Sequence, residues 1–432
     1  MSSFLITNKT ADIEGANVPC SFYGSYKHIY NKNNIEFILN ALEEKEQIYT
    51  DEVNDLVLIF DGINYTPNQN LLDLYKKYGE EFIKEINGEF ALCLFDFKNN
   101  ISIISADTFG TRQIYFALDS NEFCISTLYS SIKVLGFDYY TKIYENNYAV
   151  FNLKTNSFEL KPITKFDFTE KKDNSDDWVK AFEEAVLMKT ADSSNVTLLL
   201  SDGIDSGAIA CCLEKYNKPF NSISYITDDY YPNDLFYWRA GISTKDIPKN
   251  ITLKKSSNKQ LFFLTDLPAY NCNFIFDTLT TKYFLENNCF VEHDLSKKNI
   301  ESEFTFKVMG HVASVMKEHK SSTLITGHGA AFSDIELKLR FNKTNNIRAC
   351  NYDDPYVLRN LCGPHKIENR FPLLDKKLFQ ETLWLNKQTF NTYKKHVIGY
   401  LKQHNYPYSL KNGEINVRGF LNCKYTPYYY EI

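Results

Sequence analysis

The sequence predicts two domains, an α+β sandwich rich in strands followed by an α/β domain built on a parallel sheet. Three observations carry that expectation. The chain has 432 residues, too many for one ordinary core. Up to about residue 165, short apolar runs alternate with turn residues. From Trp178 onward, a helix, an unbroken apolar strand, a glycine-opened helix and a second strand follow in βαβ order.

In the first half, Leu56-Val57-Leu58-Ile59-Phe60 reads as a strand closed by a turn at Asp61-Gly62. Asn68 to Lys84 has helical spacing, with Leu71, Leu72, Leu74 and Tyr75 on one side. Phe90–Asp96 and Ile101–Ser105 flank Lys98-Asn99-Asn100 as a hairpin. Further strands are expected near Gln113–Leu118, Glu122–Ser126 and Tyr148–Leu153. The polar stretch Lys171–Asp177 is the linker, so the domains are placed at 1–170 and 171–432. Beyond it come a helix (Trp178–Met188), a buried strand (Val196–Leu200), an apolar helix (Gly207–Lys215) and a strand (Phe220–Ile226).

A net charge of −6 and a pI near 5.8 argue against a nucleic-acid binder, because phosphate contacts need a basic face. The ten cysteines form no CxxC pair and no Cys/His metal spacing, and several sit in apolar runs, as buried thiols do. No signal-like segment opens the chain and no apolar run approaches a membrane span. The expectation is a cytoplasmic protein, with a homodimer left open.

Chemistry concentrates in Leu198-Leu199-Leu200-Ser201-Asp202-Gly203-Ile204-Asp205-Ser206-Gly207. A buried strand ends in a Ser/Gly loop that opens a helix, an arrangement that offers backbone N–H groups to phosphate oxygens. Ser201 and Ser206 add hydroxyl donors. Asp205 repels phosphate unless a Mg²⁺ ion bridges the two. The Gly-Lys-Ser/Thr ending of the kinase P-loop is missing. This segment resembles the S-G-G-x-D-S loop of the ATP pyrophosphatases, which include the asparagine synthetases, with Asp202 replacing the second glycine. An ordinary strand–turn–helix with Asp as a cap is the competing reading.

Two further segments strengthen the resemblance. Leu324-Ile325-Thr326-Gly327-His328-Gly329-Ala330-Ala331 resembles the family's L-S-G-E-G-A-D, and Glu368-Asn369-Arg370-Phe371-Pro372-Leu373-Leu374-Asp375 its E-x-R-x-P-F-L-D. The resemblance implies ATP and Mg²⁺ as cofactors, a nucleotide site at Ser201, Asp202, Gly203, Asp205, Ser206 and Gly327, and a substrate carboxylate that attacks the α-phosphate. It also marks departures. The family's metal-binding acid is Ala331 here, so the metal ligands are Asp205 and a relocated Asp202, with Asp334 in reserve; damaged metal binding is the alternative. His328 stands at the family's Glu position. As in the lasso-peptide cyclases, it is read as a base oriented by Glu368, or else as a strand-end hydrogen-bonding residue. Lys411 occupies the place of a late lysine that steadies developing negative charge, unless it is a solvated lysine; Arg418 is the reserve.

Residues 56–117 resemble the asparagine synthetase glutaminase domain through Phe60-Asp61-Gly62-Ile63-Asn64-Tyr65, Ile86-Asn87-Gly88-Glu89-Phe90-Ala91 and Ala106-Asp107-Thr108-Phe109-Gly110-Thr111-Arg112. The implied fold is an Ntn-hydrolase-like sandwich joined to an ATP-pyrophosphatase-like domain. That glutaminase chemistry needs an N-terminal cysteine. This chain reads Met1-Ser2-Ser3, with Cys20 further in, and Asp61 stands where an oxyanion-hole Asn is expected, so the activity is expected to be absent. β-Lactam synthetases and lasso-peptide cyclases share that state. The expected reaction is therefore adenylation followed by amide closure with an amine of the substrate, which is a small molecule or a peptide. A precursor peptide with helper maturation proteins is among the options. Use of ammonia or a separate amine, and a non-catalytic partner-binding protein, are the alternatives.

Overall fold

The computed structural model describes residues 2–9, 26–41, 48–66, 70–193, 195–200, 203–226, 260–264, 272–276, 312, 316, 320–328, 358, 362, 366–386, 394–406, 408–409 and 415–416. The chain divides into two compact units, one built on residues up to Phe166 and the other from Asp167 onward, with the segment ending at Glu368 counted in the first.

Alternating apolar residues build the first unit. One antiparallel sheet has the order β10 (Thr141–Lys142), β8 (Tyr115–Asp119), β9 (Glu122–Ser126), β1 (Ser3–Thr7), β3 (Ile35–Ala41) and β2 (Tyr26–Lys32). The other has the order β12 (Phe158–Pro162), β11 (Asn147–Asn152), β7 (Ile101–Ala106), β6 (Gly88–Asp96), β5 (Leu56–Asn64) and β4 (Tyr49–Asp51). Phe4, Ile6, Phe37 and Leu39 of one sheet meet Val57, Ile59, Cys93 and Phe95 of the other in a shared core. The intervening residues pack outward. Leu56, Leu58, Leu92 and Leu94 cluster with Leu72 and Tyr75 of α1 (Leu71–Tyr78) and with Phe82 and Ile83 of α2 (Phe82–Glu85). Leu5 and Ile38 cluster with Ile132 of α3 (Tyr129–Val134). The unit is thus a four-layer helix–sheet–sheet–helix sandwich.

Two local expectations are corrected. The strand expected to stop at Asp61-Gly62 runs on to Asn64. Gly62 makes this passage possible, since at φ +143° a Cβ there would stand 2.1 Å from the Glu89 carbonyl oxygen. The helix expected over 68–84 is two helices, broken where Gly79 adopts φ +58° and donates to the Tyr75 carbonyl. The hairpin between β6 and β7 forms as expected, with the Asp96 carboxylate holding the Asn99 N–H at 2.8 Å and Asn100 left-handed at φ 55°.

The second unit carries a six-stranded sheet in the order β15 (Gln260–Leu264), β16 (Cys272–Phe276), β14 (Asn221–Ile226), β13 (Val196–Leu199), β17 (Thr323–Ile325) and β18 (Glu368–Arg370). β16, β14, β13 and β17 pair in parallel, and β15 is antiparallel to β16. One face of β13 and Ile325 pack against α4 (Asp176–Lys189), α5 (Ile204–Lys215), α6 (Lys376–Trp384) and α7 (Lys395–Gln403). Trp178 and Phe182 stack at 5.3 Å in the middle of this core. The expected βαβ passage is therefore present as β13–α5–β14. Cys93, Cys124, Cys211, Cys212 and Cys362 are free and buried, and burial pushes the thiols of Cys93, Cys211 and Cys212 up to about 12. No helix among the described residues is long and apolar enough to cross a membrane.

Candidate nucleotide site

The sheet order locates the site before any side chain is considered. From β13 the chain passes through α5 to β14 on one side, whereas β17 pairs with the other side of β13. Strand order reverses there, and in open α/β sheets the crevice at the carboxyl ends of such strands is where ligands bind. The two loops that leave this point are the Gly203 loop and the Thr326-Gly327-His328 loop.

α5 begins at Gly203, whose φ/ψ of −63°/157° is extended and whose missing side chain leaves the cap without a competing acceptor. The first-turn N–H groups and the positive end of the helix dipole favour an anion. Ser206 is buried in this turn and Asp205 is half-buried. Gly327, 120 or so positions along the chain, comes directly against them. A Cβ on Gly327 would lie 3.1 Å from the Ser206 backbone N and 3.3 Å from the Asp205 Cβ. A side chain there would require the start of the helix to give by a few tenths of an ångström, so glycine keeps the close approach. Ser201, Asp202, Ala331, Asp334, Lys411 and Arg418 lie outside the described residues. Gly203, Asp205, Ser206 and Gly327 are brought together. His328 follows Gly327, half-buried, and Glu368 opens β18, the strand beside β17.

Lys394 was not visible as a site residue in the sequence. Its Nζ lies 2.5 Å from Asp205 Oδ2, with the lysine side chain only 7% exposed. It precedes α7 in the left-handed region, at φ 47° and ψ 41°, a conformation that costs an L residue roughly 1–2 kcal/mol. Lys394 and Lys395 also open a helix whose dipole disfavours cations. Asp205 Oδ1, by contrast, is buried and has no hydrogen-bond partner among the described residues. A carboxylate oxygen left open beside an anion-favouring helix start fits a Mg²⁺ ligand, so Asp205 is the residue suited to hold the ion. Among the described residues no group of three acids, histidines or cysteines could hold a metal by itself.

The third motif is largely consumed by the fold. Arg370 donates to the Lys189 carbonyl at 2.8 Å and pairs with Asp192, while the buried Lys189 ammonium donates to the carbonyls of Phe371 and Leu374 at 2.9 and 3.0 Å. This reciprocal clamp ties the turn after β18 to the end of α4. Asp375 caps α6 by accepting from the Leu378 N–H at 3.0 Å. Arg370 points toward α4, so strand alternation turns Asn369 to the opposite face. Ile325 packs on the α4 side, which turns Thr326 to that same opposite face. Asn369 and Thr326 are 2% and 0% exposed, and among the described residues neither the Asn369 amide nor the Thr326 hydroxyl has a partner.

In the first unit, the Ser2 hydroxyl donates to Asp61 Oδ1 at 2.9 Å, and both residues are buried. Asp107 organises the following turn: its carboxyl accepts from the Thr111 hydroxyl at 2.6 Å and the Phe109 N–H at 2.9 Å, and burial raises its pKa.

A glutamine amidotransferase domain family matches residues 66–175, a span that begins after Ser2 and Asp61. A protein of Methanocaldococcus jannaschii bearing the name of an asparagine synthetase (glutamine-hydrolysing) is 24% identical over 41% of this chain and 44% of its own length. The asparagine synthetase (glutamine-hydrolysing) of Sandersonia aurantiaca is 28% identical over 33% of this chain and 27% of its own. The chain spans less than half the length of these curated relatives. The structure of the glutamine phosphoribosylpyrophosphate amidotransferase of B. subtilis overlaps 43% of this chain and 51% of its own at 11% identity and a TM-score of 0.26, too low to bear on the fold. Over these partial stretches, the chain is similar in sequence to proteins named as asparagine synthetases.

Proposed function

We propose that this protein is an ATP-dependent, AMP-forming amide-bond synthetase that adenylates a substrate carboxylate and then closes an amide with an amine of the same substrate. The observation that carries the reading is the seating of Gly327 on the Asp205–Ser206 turn at the point where strand order reverses. Two motifs far apart in sequence meet where an α/β sheet binds a nucleotide.

The backbone N–H groups of Gly203 and the first turn of α5, with the Ser201 and Ser206 hydroxyls, bind the β- and γ-phosphates. Asp205, joined by Asp202, would hold Mg²⁺, which when bound neutralises phosphate charge. A carboxylate oxygen of the substrate attacks the α-phosphorus, the bond to the β-phosphate breaks, and pyrophosphate leaves. The amine then attacks the acyl carbon of the adenylate, His328 accepts its proton with Glu368 orienting the ring, and AMP departs. Lys411 steadies the negative charge that develops during transfer. The Ser2–Asp61 pair supports an amine from the substrate: it offers a hydroxyl where glutaminase chemistry needs a thiolate, and a carboxylate where it needs an oxyanion donor.

Asp205→Asn and Ser206→Ala are expected to abolish pyrophosphate release while leaving the far-ultraviolet circular dichroism of the folded protein close to the parent. Candidate amino acids and peptides incubated with ATP and Mg²⁺ supply the assay. Near-parental release by both variants would place the nucleotide elsewhere. Product formed only when ammonia or a second amine is added would replace ring closure by an intermolecular reaction.

A further inference from the structure

Asp205 carries two oxygens in different states: Oδ2 is held by Lys394 at 2.5 Å, and Oδ1 is buried without a partner among the described residues. Lys394 is 7% exposed, so its charge is poorly screened by water and acts strongly on whatever approaches the carboxylate. Among the described residues no further cluster of acids is placed to help Asp205 hold a divalent ion. The Asp205 carboxylate, already paired with an ammonium, has little net charge of its own to offer a metal. An ATP triphosphate changes that balance, because it supplies both metal ligands and the negative charge that attracts the lysine.

We propose that Lys394 makes metal binding at Asp205 conditional on nucleotide: the ammonium repels a lone Mg²⁺ and favours the Mg²⁺–triphosphate complex, so that the site loads the pair and not the ion. The inference rests on the nucleotide reading above and assigns Lys394 a positioning and selecting role. It holds Oδ2 so that Oδ1 faces the ion, and the left-handed backbone at Lys394 keeps the ammonium pointing back into the site.

The test is Mn²⁺ binding to the full chain followed by electron paramagnetic resonance, with and without α,β-methylene-ATP, whose scissile linkage cannot break. The parent should bind Mn²⁺ weakly alone and about tenfold or more tightly with the analogue. Lys394→Met and Lys394→Gln should each bind Mn²⁺ alone about tenfold more tightly than the parent and lose most of the dependence on nucleotide; Lys394→Arg should restore the parental pattern. Unchanged or weaker nucleotide-free Mn²⁺ binding in the folded Met or Gln variants, with the parent still nucleotide-dependent, overturns the proposal while leaving the nucleotide site standing. Nucleotide-dependent Mn²⁺ binding that survives Asp205→Asn removes the site assignment itself, and the role of Lys394 with it.

Discussion

At the scale of single residues, the described part of the site separates groups that serve the fold from groups left open. Arg370, Lys189 and Asp375 spend their hydrogen bonds on backbone carbonyls, an aspartate and a helix cap. Asn369 and Thr326 are buried with polar side-chain atoms that meet no partner among the described residues. A buried unsatisfied polar group costs about 1–3 kcal/mol, so Asn369→Leu and Thr326→Val should each raise stability by about 1 kcal/mol in urea unfolding. A loss of similar size would show that these groups are satisfied in solution. His328 bears on chemistry. If it is the base for the amine, His328→Ala should spare pyrophosphate release and slow amide formation by about 10²–10⁴-fold, with adenylate or its hydrolysis product accumulating. Loss of pyrophosphate release instead would assign His328 to the nucleotide.

At the scale of elements, α7 joins the core to the site. Its buried face, with Val397, Tyr400 and Leu401, packs into the cluster of α4 and β13, and Lys394 stands at its start. His396 on the same helix lies edge-on to Trp178, with ring centroids 4.6 Å apart. Burial, reinforced by the nearby Lys394 charge, lowers its pKa from 6.5 to about 3. The imidazole is thus neutral in the fold but protonates in the unfolded chain once the pH drops below its ordinary value. Its contribution is complete above about pH 6.5 and is lost progressively as pH falls toward 3. Unfolding measured at pH 7 and pH 5 should show a steeper decline for the parent than for His396→Phe. Equal slopes would mean that the ring is solvated or paired in solution.

At the scale of the whole molecule, the four-layer sandwich of the first unit holds Ser2 and Asp61 buried against each other. The Asp61 carboxylate beside the Ser2 hydroxyl opposes a developing oxyanion. Purified protein supplied with glutamine, ATP and its carboxylate substrate should therefore release no glutamate in step with product. Stoichiometric glutamate, measured by a coupled dehydrogenase, would restore the first unit to catalysis.

The strands and helices with strong local patterns were legible from the residues alone. The β6–β7 hairpin, the β13–α5–β14 passage and the loop at Gly203 rest on apolar periodicity and turn residues, which act within a few positions of one another. The path of β5 through Gly62 was not legible, because what requires glycine there is the Glu89 carbonyl across the sheet. Lys394 escaped notice for the same reason. Its partner Asp205 lies 189 positions earlier, and a lysine beside a lysine carries no local mark of an ion pair. The motif around Arg370 was legible as a motif, but only packing shows that its arginine and final aspartate hold a turn and cap a helix. Sequence alone thus determined the elements and the chemistry available at Asp205, Ser206 and His328. Tertiary structure decided which distant groups meet, because a buried charge or a close backbone approach depends on neighbours that the order of residues does not name.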